Sequence, residues 1–370
     1  MSKVVYLMGA GASYGKREKD SNGKDIAGKI LEGLPIVNEI PLRLQQIIEL
    51  YSEPSYKEDD SVTISEIPIN LKNAQAALVD DLRWLYDNTK RHATIDTFAK
   101  KLFLTGKRDD YTKLKRLLSI YFKTEQLINR PDSRYDTFLA SVLQRNLQGK
   151  LRISKDISLL TWNYDSQFEI AYREYLTTDI NSENIQFPEQ LGIDIHSDAV
   201  NYQKPATFQD DGERQIFKLN GSAAFANEFS MGHYYAFHDG KLDEKQLKQN
   251  LWTYNAPYYI DTLERKKCLL NFAWEYEKTP EYTKLLEDVF WGTETLIIIG
   301  YTFPFFNREV DTFLLGSMLS GLKTIYIQDP NASNIKESVL NIIRRANRVF
   351  NVRNIILKND VNQFFLPPEL

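Results

Sequence analysis

The segment Val4-Val5-Tyr6-Leu7-Met8-Gly9-Ala10-Gly11-Ala12-Ser13, residues 4–13, decides the fold class of this 370-residue chain. Its first five residues are apolar and lack the polar alternation of a half-exposed strand, which predicts a buried parallel strand. The glycines that follow predict a tight turn into a helix, where backbone amides can hold a phosphate. The next glycine, Gly15, comes one residue later than the usual dinucleotide fingerprint requires, so an ordinary turn is the alternative interpretation.

Other parts of the chain repeat the buried-strand pattern. Apolar runs at residues 157–160, 296–299 and 324–327 predict further parallel strands, and residues 215–219 and 352–357 are weaker candidates. Helical spacing of apolar residues separates the runs, which is typical of a doubly wound α/β sheet.

The long stretch between the first two runs has almost no strand character. Its apolar residues recur at helical spacing, and one crossover does not need so many helices. We therefore predict one α/β domain over residues 1–370, with a helical subdomain inserted at residues 40–150. The predicted helices cover residues 42–51, 71–89, 95–104, 111–127 and 135–148.

The composition limits which partners, metal sites and cellular compartments are expected for this chain. There are 46 Lys and Arg against 50 Asp and Glu, so no overall positive charge favours nucleic acid or an anionic membrane. The single cysteine, Cys268, excludes an intramolecular disulfide and a four-cysteine zinc site, so no metal is expected. No run approaches the roughly 18 apolar residues of a membrane-spanning helix, and we expect a cytoplasmic protein without membrane insertion.

Polar residues follow the second predicted strand, in Thr161-Trp162-Asn163-Tyr164-Asp165. Side chains at the carboxyl end of a parallel strand face the crevice where α/β sheets bind ligands, so Asn163 and Asp165 are candidate site residues. An amide can orient a ribose hydroxyl or a water, and a carboxylate can accept a hydrogen bond from a carboxamide. The alternative is a helix cap, since Asn and Asp favour that position.

Three more strand endings carry small or polar residues, at 217–222, 299–304 and 327–331. They add Asn220, Gly300, Thr302 and Asp329 to the candidates. Each ending alone is a common turn. Together with the first two they favour one ligand site at the carboxyl edge of the sheet.

In this order and spacing, the motifs resemble the sirtuin-like catalytic domain, in particular its NAD-destroying branch in bacterial antiphage defence, as in Thoeris or KongMing type systems. The resemblance covers residues from about 4 to about 335 and includes Ile95-Asp96-Thr97-Phe98-Ala99 and Gly300-Tyr301-Thr302-Phe303. It implies a Rossmann-like sheet with a helical insertion. It also implies NAD as the substrate and cleavage of the bond between nicotinamide and ribose.

The resemblance also assigns roles to individual residues. Asn163 would lie beside the nicotinamide ribose or the attacking water, and Asp165 near the carboxamide. Thr302 and Asp329 would lie on the adenosine side, with Gly300 in the turn before them. The residues placed against the pyrophosphate are Gly9, Gly11, Ala12 and Ser13.

The chain departs from the family at Asn220-Gly221, where the family has a histidine before the glycine. Imidazole can take a proton near neutral pH, whereas the asparagine amide cannot, so Asn220 can position a group but cannot act as a base. Three explanations stay open: a deliberate replacement that traps intact NAD, use of another base, or a protein that only binds the nucleotide. The alternative to an NAD hydrolase is thus a non-catalytic sensor or scaffold that binds NAD or an ADP-ribose derivative.

The resemblance implies partners as well. We expect a homo-oligomer, a separate sensor subunit, or both, because the chain shows no recognisable sensor domain. In related systems the sensor is an ATPase, an Argonaute-like protein or a nucleotide-sensing enzyme. Direct nucleic-acid binding is not expected.

Overall fold

The computed structural model describes residues 4–64, 67–145, 151–175, 193–195, 215–225, 242–255, 268–275, 280–346 and 354–370. The chain divides into two compact units. The first unit comprises Met1–Gly15, Asp132–Gly221 and Asn271–Leu370, and the second comprises Lys16–Pro131 and Ser222–Leu270. Of the range 40–150 predicted as an insertion, residues 40–131 belong to the second unit and 132–145 to the first.

The described residues form both strands and helices. The strands are β1 (Val4–Met8), β2 (Lys16–Lys19), β3 (Asp25–Glu32), β4 (Ser61–Ile64), β5 (Ile67–Asn70), β6 (Leu143–Arg145), β7 (Leu151–Ile153), β8 (Ile157–Thr161), β9 (Ile193–Ile195), β10 (Ile216–Lys218), β11 (Gly221–Phe225), β12 (Cys268–Leu270), β13 (Thr295–Ile299), β14 (Thr324–Gln328) and β15 (Ile355–Lys358). The helices are α1 (Ile40–Ser52), α2 (Leu71–Arg91), α3 (Ile95–Leu104), α4 (Arg108–Ile128), α5 (Ser133–Val142), α6 (Gln167–Arg173), α7 (Glu244–Asn255), α8 (Pro280–Phe290), α9 (Arg308–Met318) and α10 (Ala332–Arg345).

The first unit is built on a seven-stranded sheet in the order β15-β14-β13-β1-β8-β10-β9. Every neighbouring pair of these strands is parallel. All five residues of β1 are buried, as expected for a strand covered on both faces. The prediction of an α/β fold around a parallel sheet is confirmed, and the arrangement is consistent with a Rossmann-like fold.

Successive side chains of each strand point to opposite faces of the sheet, and helices cover both faces. On one face, Val5 and Leu7 of β1 belong to the same core cluster as Leu314 of α9 and Val339 of α10. On the other face, Tyr6 packs edge-on against Phe138 of α5, with ring centroids 5.0 Å apart, and α5 contacts α6. The sheet therefore lies between two helical layers, and ligand access is left to its edges.

The second unit contains α1–α4 and α7 together with three hairpins, β2/β3, β4/β5 and β11/β12. Two buried ion pairs brace it, Arg17 with Glu39 at 2.7 Å and Arg43 with Glu125 at 2.7 Å. No helix among the described residues is long and apolar enough to cross a membrane.

Two expectations about the stretch between β1 and β8 were wrong. It contains the antiparallel pairs β2/β3, β4/β5 and β6/β7, although the sequence showed almost no strand character there. Apart from β3 these strands are short, and none of the six is buried along its whole length, so they lack the apolar run that marks a buried strand. In addition, α5 ends at Val142 and β6 follows, whereas a helix was predicted to continue to residue 148; residues 146–150 lie outside the described part.

Candidate active site

The five candidate motifs follow five adjacent strands that end level with one another. Met8 of β1 pairs with Ile299 of β13 on one side and with Thr161 of β8 on the other. Thr161 in turn pairs with Lys218 of β10, and Ile299 pairs with Gln328 of β14. All five turns therefore leave the same carboxyl edge of the sheet, which is where open α/β sheets bind ligands.

The turn after β1 is a single 3-10 turn over Ala10–Ser13. Its backbone amides are used inside the protein. Gly9 N donates to Ile299 O at 3.0 Å, Gly11 N donates to Gly300 O at 3.0 Å, and Ala12 N donates to Gly9 O at 2.9 Å. These three amides hold the turn in place, so a pyrophosphate beside it would need other donors.

The glycines allow two turns to pack backbone against backbone. A Cβ added to Gly11 would lie 2.6 Å from the Cα of Gly300, and one added to Gly9 would lie 2.7 Å from the carbonyl oxygen of Gly300. Gly300 itself has a φ of 58°, in the left-handed region that favours glycine. The sequence interpretation gave the glycines to a ligand, whereas the structure shows each of them against the neighbouring turn.

Asn163 is the side chain that joins the first turn to the end of β8. Its Nδ2 donates to Gly9 O at 3.0 Å and to Ser13 Oγ at 3.1 Å, while its own backbone amide is held by Thr161 Oγ1 at 3.0 Å. Both Nδ2 hydrogens are thus used. The group that Asn163 can offer to a ligand is its Oδ1, which can accept a hydrogen bond from a hydroxyl or a water.

Helix α5 fixes the same turn from the other side. The Ser13 hydroxyl lies 3.0 Å from the Tyr135 hydroxyl, and burial raises the Tyr135 pKa well above its usual value, so this phenol stays neutral. Arg134 Nη2 donates to Gly11 O at 2.9 Å and to Ala12 O at 3.3 Å, and its guanidinium is paired with Asp132. The turn is therefore rigidly placed before any ligand arrives.

Asp165 lies beside a buried ion pair. Burial raises the pKa of its carboxyl, and Lys218 and the Gln167 amide, which donates to Asp165 Oδ1 at 3.0 Å, oppose that rise. Lys218 Nζ contacts Glu169 Oε1 at 2.6 Å and donates to the Asp165 carbonyl at 2.5 Å. A cavity of about 20 Å³ is lined by these three charged residues, Tyr135 and Thr161, and otherwise by apolar side chains. Such a volume holds about one water.

Asn220 has one satisfied and one unsatisfied polar atom. Its Nδ2 donates to Trp162 O at 3.1 Å, which fixes the orientation of the amide. Its Oδ1 is buried without a hydrogen-bond partner. A buried acceptor without a donor costs about 1–3 kcal/mol, so this oxygen destabilises the folded chain.

A second buried carboxyl connects two of the turns. Asp311 Oδ1 accepts from Trp162 Nε1 at 3.2 Å, and Tyr301 donates its hydroxyl to Asp311 Oδ2 at 2.8 Å. Burial raises the Asp311 pKa to about 8, and the hydrogen bonds from Tyr301 and Trp162 only partly oppose it. This carboxyl therefore carries a proton near neutral pH and anchors the turns after β8 and β13 to each other.

The structure brings most candidate residues together. Gly9, Gly11, Ala12, Ser13, Asn163 and Gly300 form one contact network, with Asp165 beside it and Asn220 joined through Trp162.

The two adenosine-side candidates are separate from that network. Thr302 is exposed. Asp329 Oδ1 accepts from Asn331 N at 2.7 Å, which places it at the start of α10 as a turn-forming residue. Within the part of the chain that the structure describes, neither is shown in contact with the other candidates.

Sequence reasoning missed the residues that support the turns, Arg134, Tyr135, Glu169 and Lys218. Lys218 carried one usable signal, since a lysine inside an apolar strand needs a buried partner. Arg134 and Tyr135 stand on a helix far along the chain from residues 9–13, and nothing local points to the contact. Among the described residues, no group of three or more His, Cys, Asp or Glu side chains is placed to hold a metal ion.

Comparisons with family models, with curated proteins and with solved structures found no match to this chain.

Proposed function

We propose that this chain binds NAD at the carboxyl edge of its parallel sheet and hydrolyses the bond between nicotinamide and ribose. The observation that carries the proposal is Asn163: its Nδ2 is tied to the turn after β1, and its Oδ1 is left to accept from a ligand. The sirtuin-like order of the motifs supports NAD as that ligand.

In the proposed reaction, water adds to C1′ of the nicotinamide ribose. The C1′–N bond breaks with its electron pair going to the pyridinium nitrogen, so nicotinamide leaves neutral, and the water loses one proton to give ADP-ribose. Asn163 Oδ1 orients the water or a ribose hydroxyl, and Asp165 lies on the carboxamide side. Ser13 supports Asn163. The turn of Gly9, Gly11 and Ala12 lies on the pyrophosphate side and shapes it, while the hydrogen bonds to the pyrophosphate come from other donors, because these three amides are used within the protein. Gly300, Thr302 and Asp329 lie towards adenosine.

Asn220 gives weight to a second candidate, a subunit that binds NAD or an ADP-ribose derivative without cleaving it. Its amide cannot accept the proton that the water loses, and general-base help is worth about 10²- to 10⁴-fold in rate. The unpartnered Asn220 Oδ1 can still accept a hydrogen bond from a bound nucleotide. Binding thus requires Asn220 only to accept a hydrogen bond, whereas turnover would require this position to accept a proton.

The deciding experiment incubates NAD with the purified chain, with Asn220→His and with Asn163→Ala, and measures released nicotinamide. The hydrolase proposal expects release by the parent chain or by Asn220→His, and none by Asn163→Ala. Absence of release from the first two forms, as monomer, oligomer or complex, would overturn it. Calorimetric binding of NAD without product, and without rescue by histidine, would establish the binding module instead.

We further propose that the second unit is a helical subdomain inserted into a doubly wound Rossmann-like domain, and that the protein acts in antiphage abortive infection. The support is the family resemblance. On this proposal a second copy of the chain or a separate sensor subunit controls the site. Light scattering, with nicotinamide release followed in the same fractions, tests whether activity appears only in an assembled form.

A further inference from the structure

We propose that the first unit carries a phosphate-binding pocket between the turn after β13 and helix α10, in which Arg308 and Arg345 hold the phosphate group. The pocket has a volume of about 180 Å³. Its lining consists of Phe303, Arg308, Ser338, Asn341, Ile342 and Arg345. This phosphate site goes beyond the proposed function, which uses neither Arg308 nor Arg345.

The polar side chains that line the pocket are all able to donate hydrogen bonds. Two are guanidiniums, one is the Ser338 hydroxyl and one is the Asn341 amide, whose Oδ1 is already taken by Arg344 at 3.0 Å. The described lining includes no carboxylate. A cavity lined by two guanidiniums, a hydroxyl and an amide, without a carboxylate in its described lining, favours an anion, and guanidinium groups match the geometry of phosphate oxygens.

Both arginines are available for a ligand. Within the described ranges, neither Arg308 nor Arg345 has a carboxylate within ion-pair distance. The Arg308 guanidinium lies over the ring of the exposed Phe305, 4.9 Å from its centroid, which orients it without neutralising it. The buried Asp311 feels the charge of Arg308, which lowers its pKa slightly against the larger effect of burial, but its hydrogen bonds come from Trp162 and Tyr301.

Phe303 is an independent sign of a constrained site. It lines the pocket and has a φ of 56°, the only positive φ outside glycine among the described residues. A bulky residue in this region is strained, and such strain is retained mainly where surrounding packing or function requires it. Phe303 is buried in the core cluster and also belongs to the pocket lining.

The size of the pocket limits the ligand. At about 180 Å³ it is smaller than the roughly 300–1,000 Å³ of pockets for drug-sized molecules. It therefore fits inorganic phosphate or the terminal phosphate of a nucleotide such as AMP. Both ligands present the same phosphate group to the pocket, so separate titrations are needed to distinguish them.

The test titrates the full chain with inorganic phosphate and, in a second series, with AMP, at constant ionic strength set with chloride. Binding is followed by calorimetry and by ³¹P line broadening. We expect saturable binding of phosphate that is weakened about tenfold or more in Arg308→Gln and in Arg345→Gln. Tighter binding of AMP than of phosphate, weakened in the same two arginine variants, would identify a nucleotide as the source, and equal binding would identify the free ion.

Lys336→Gln is the matched control. Lys336 is a cation on the same helix, α10, and does not line the pocket. This variant should bind phosphate as the parent chain does. An equal loss in Lys336→Gln would show a general effect of surface charge and overturn the proposal, as would phosphate binding no stronger than that of chloride. The measurement needs neither NAD nor turnover, so its failure is distinct from failure of the proposed function.

Discussion

Gly11 and Gly300 meet backbone against backbone at the carboxyl edge of the sheet. A Cβ on Gly11 would lie 2.6 Å from the Cα of Gly300, and Gly11 N donates to Gly300 O at 3.0 Å. The two turns that flank the candidate site are therefore one packed unit. Their spacing tolerates no side chain at either position.

Gly300→Ala is predicted to destabilise the protein more than the same change at Gly106. Both glycines have positive φ, 58° and 68°, so both variants incur the left-handed penalty of about 1–2 kcal/mol. Only Gly300 also meets a neighbouring backbone, whereas an added Cβ on Gly106 meets nothing within 4 Å. We expect Gly300→Ala to cost about 1–3 kcal/mol more in urea unfolding; equal losses would refute the close packing.

Asn163→Ala is predicted to lower the free energy of unfolding by about 1–3 kcal/mol, because it removes two buried hydrogen bonds. The matched control is Asn359→Ala. Asn359 is exposed and donates one hydrogen bond, to Pro330 O at 3.1 Å, so its loss should cost about 0.5 kcal/mol or less. Similar effects in the two variants would contradict the anchoring role of Asn163.

Asp311 should make stability depend on pH. Burial raises its pKa from 3.8 to about 8 in the folded state, so between these values the folded protein holds a proton that the unfolded chain has lost. The stabilisation is complete below about pH 4 and is lost as the pH rises to about 8. Asp311→Asn removes this dependence.

Thermal unfolding from pH 4 to 9 measures the effect. We expect Asp311→Asn to gain melting temperature relative to the parent chain as the pH rises, with the largest difference above pH 8. The difference in melting temperature between the two proteins isolates the effect of Asp311, since the other groups titrate alike in both. A difference that does not change with pH would show that Asp311 is ionised throughout.

Lys218→Met is predicted to destabilise the first unit by about 3–5 kcal/mol, because it leaves the buried Glu169 carboxylate unpaired. Adding Glu169→Gln removes the stranded charge and should restore part of that loss. Lys323→Met is the control: Lys323 pairs with Glu294 at 2.9 Å on the surface, and exposed pairs contribute about 1 kcal/mol or less. No recovery in the double variant would mean that the pair is not coupled.

The buried strands were predictable because their chemistry is local. Val4–Met8 was predicted residue for residue, and the runs at 157–160, 296–299 and 324–327 each differ from the observed strand by one residue at one end. A strand covered by helices on both faces must be apolar at every position, so its sequence shows it directly. The weak candidates at 215–219 and 352–357 also correspond to strands, β10 and β15.

The hairpins were not predictable in the same way. β2 and β3 are largely exposed, so no apolar run marks them, although Asn22-Gly23 between them is a turn signal that could have been used. The end of α5 at Val142 was missed because the pairing of β6 with β7 ends the helix, and that pairing depends on residues 151–153.

The candidate site was predictable in part. Parallel strands of similar length end at one edge, so the turns after them had to meet, and Asn163 and Asp165 were found that way. The partners of those residues were not found. Tyr135, Arg134 and Glu169 reach the turns from helices α5 and α6, and the direction of a helical side chain is decided by packing against the sheet.

By itself, the sequence determined which segments are buried strands and which turns follow them, because burial on two faces imposes composition residue by residue. Only the tertiary structure decided how the polar groups of those turns are used. Gly9 and Gly11 face another backbone, Asn163 uses its Nδ2 within the protein, and Asn220 buries an oxygen that has no donor among the described residues. Each of these features depends on whether a residue more than 50 positions away in the chain lies close enough to make contact. The physical reason is that hydrogen bonds and close contacts form between neighbours in space.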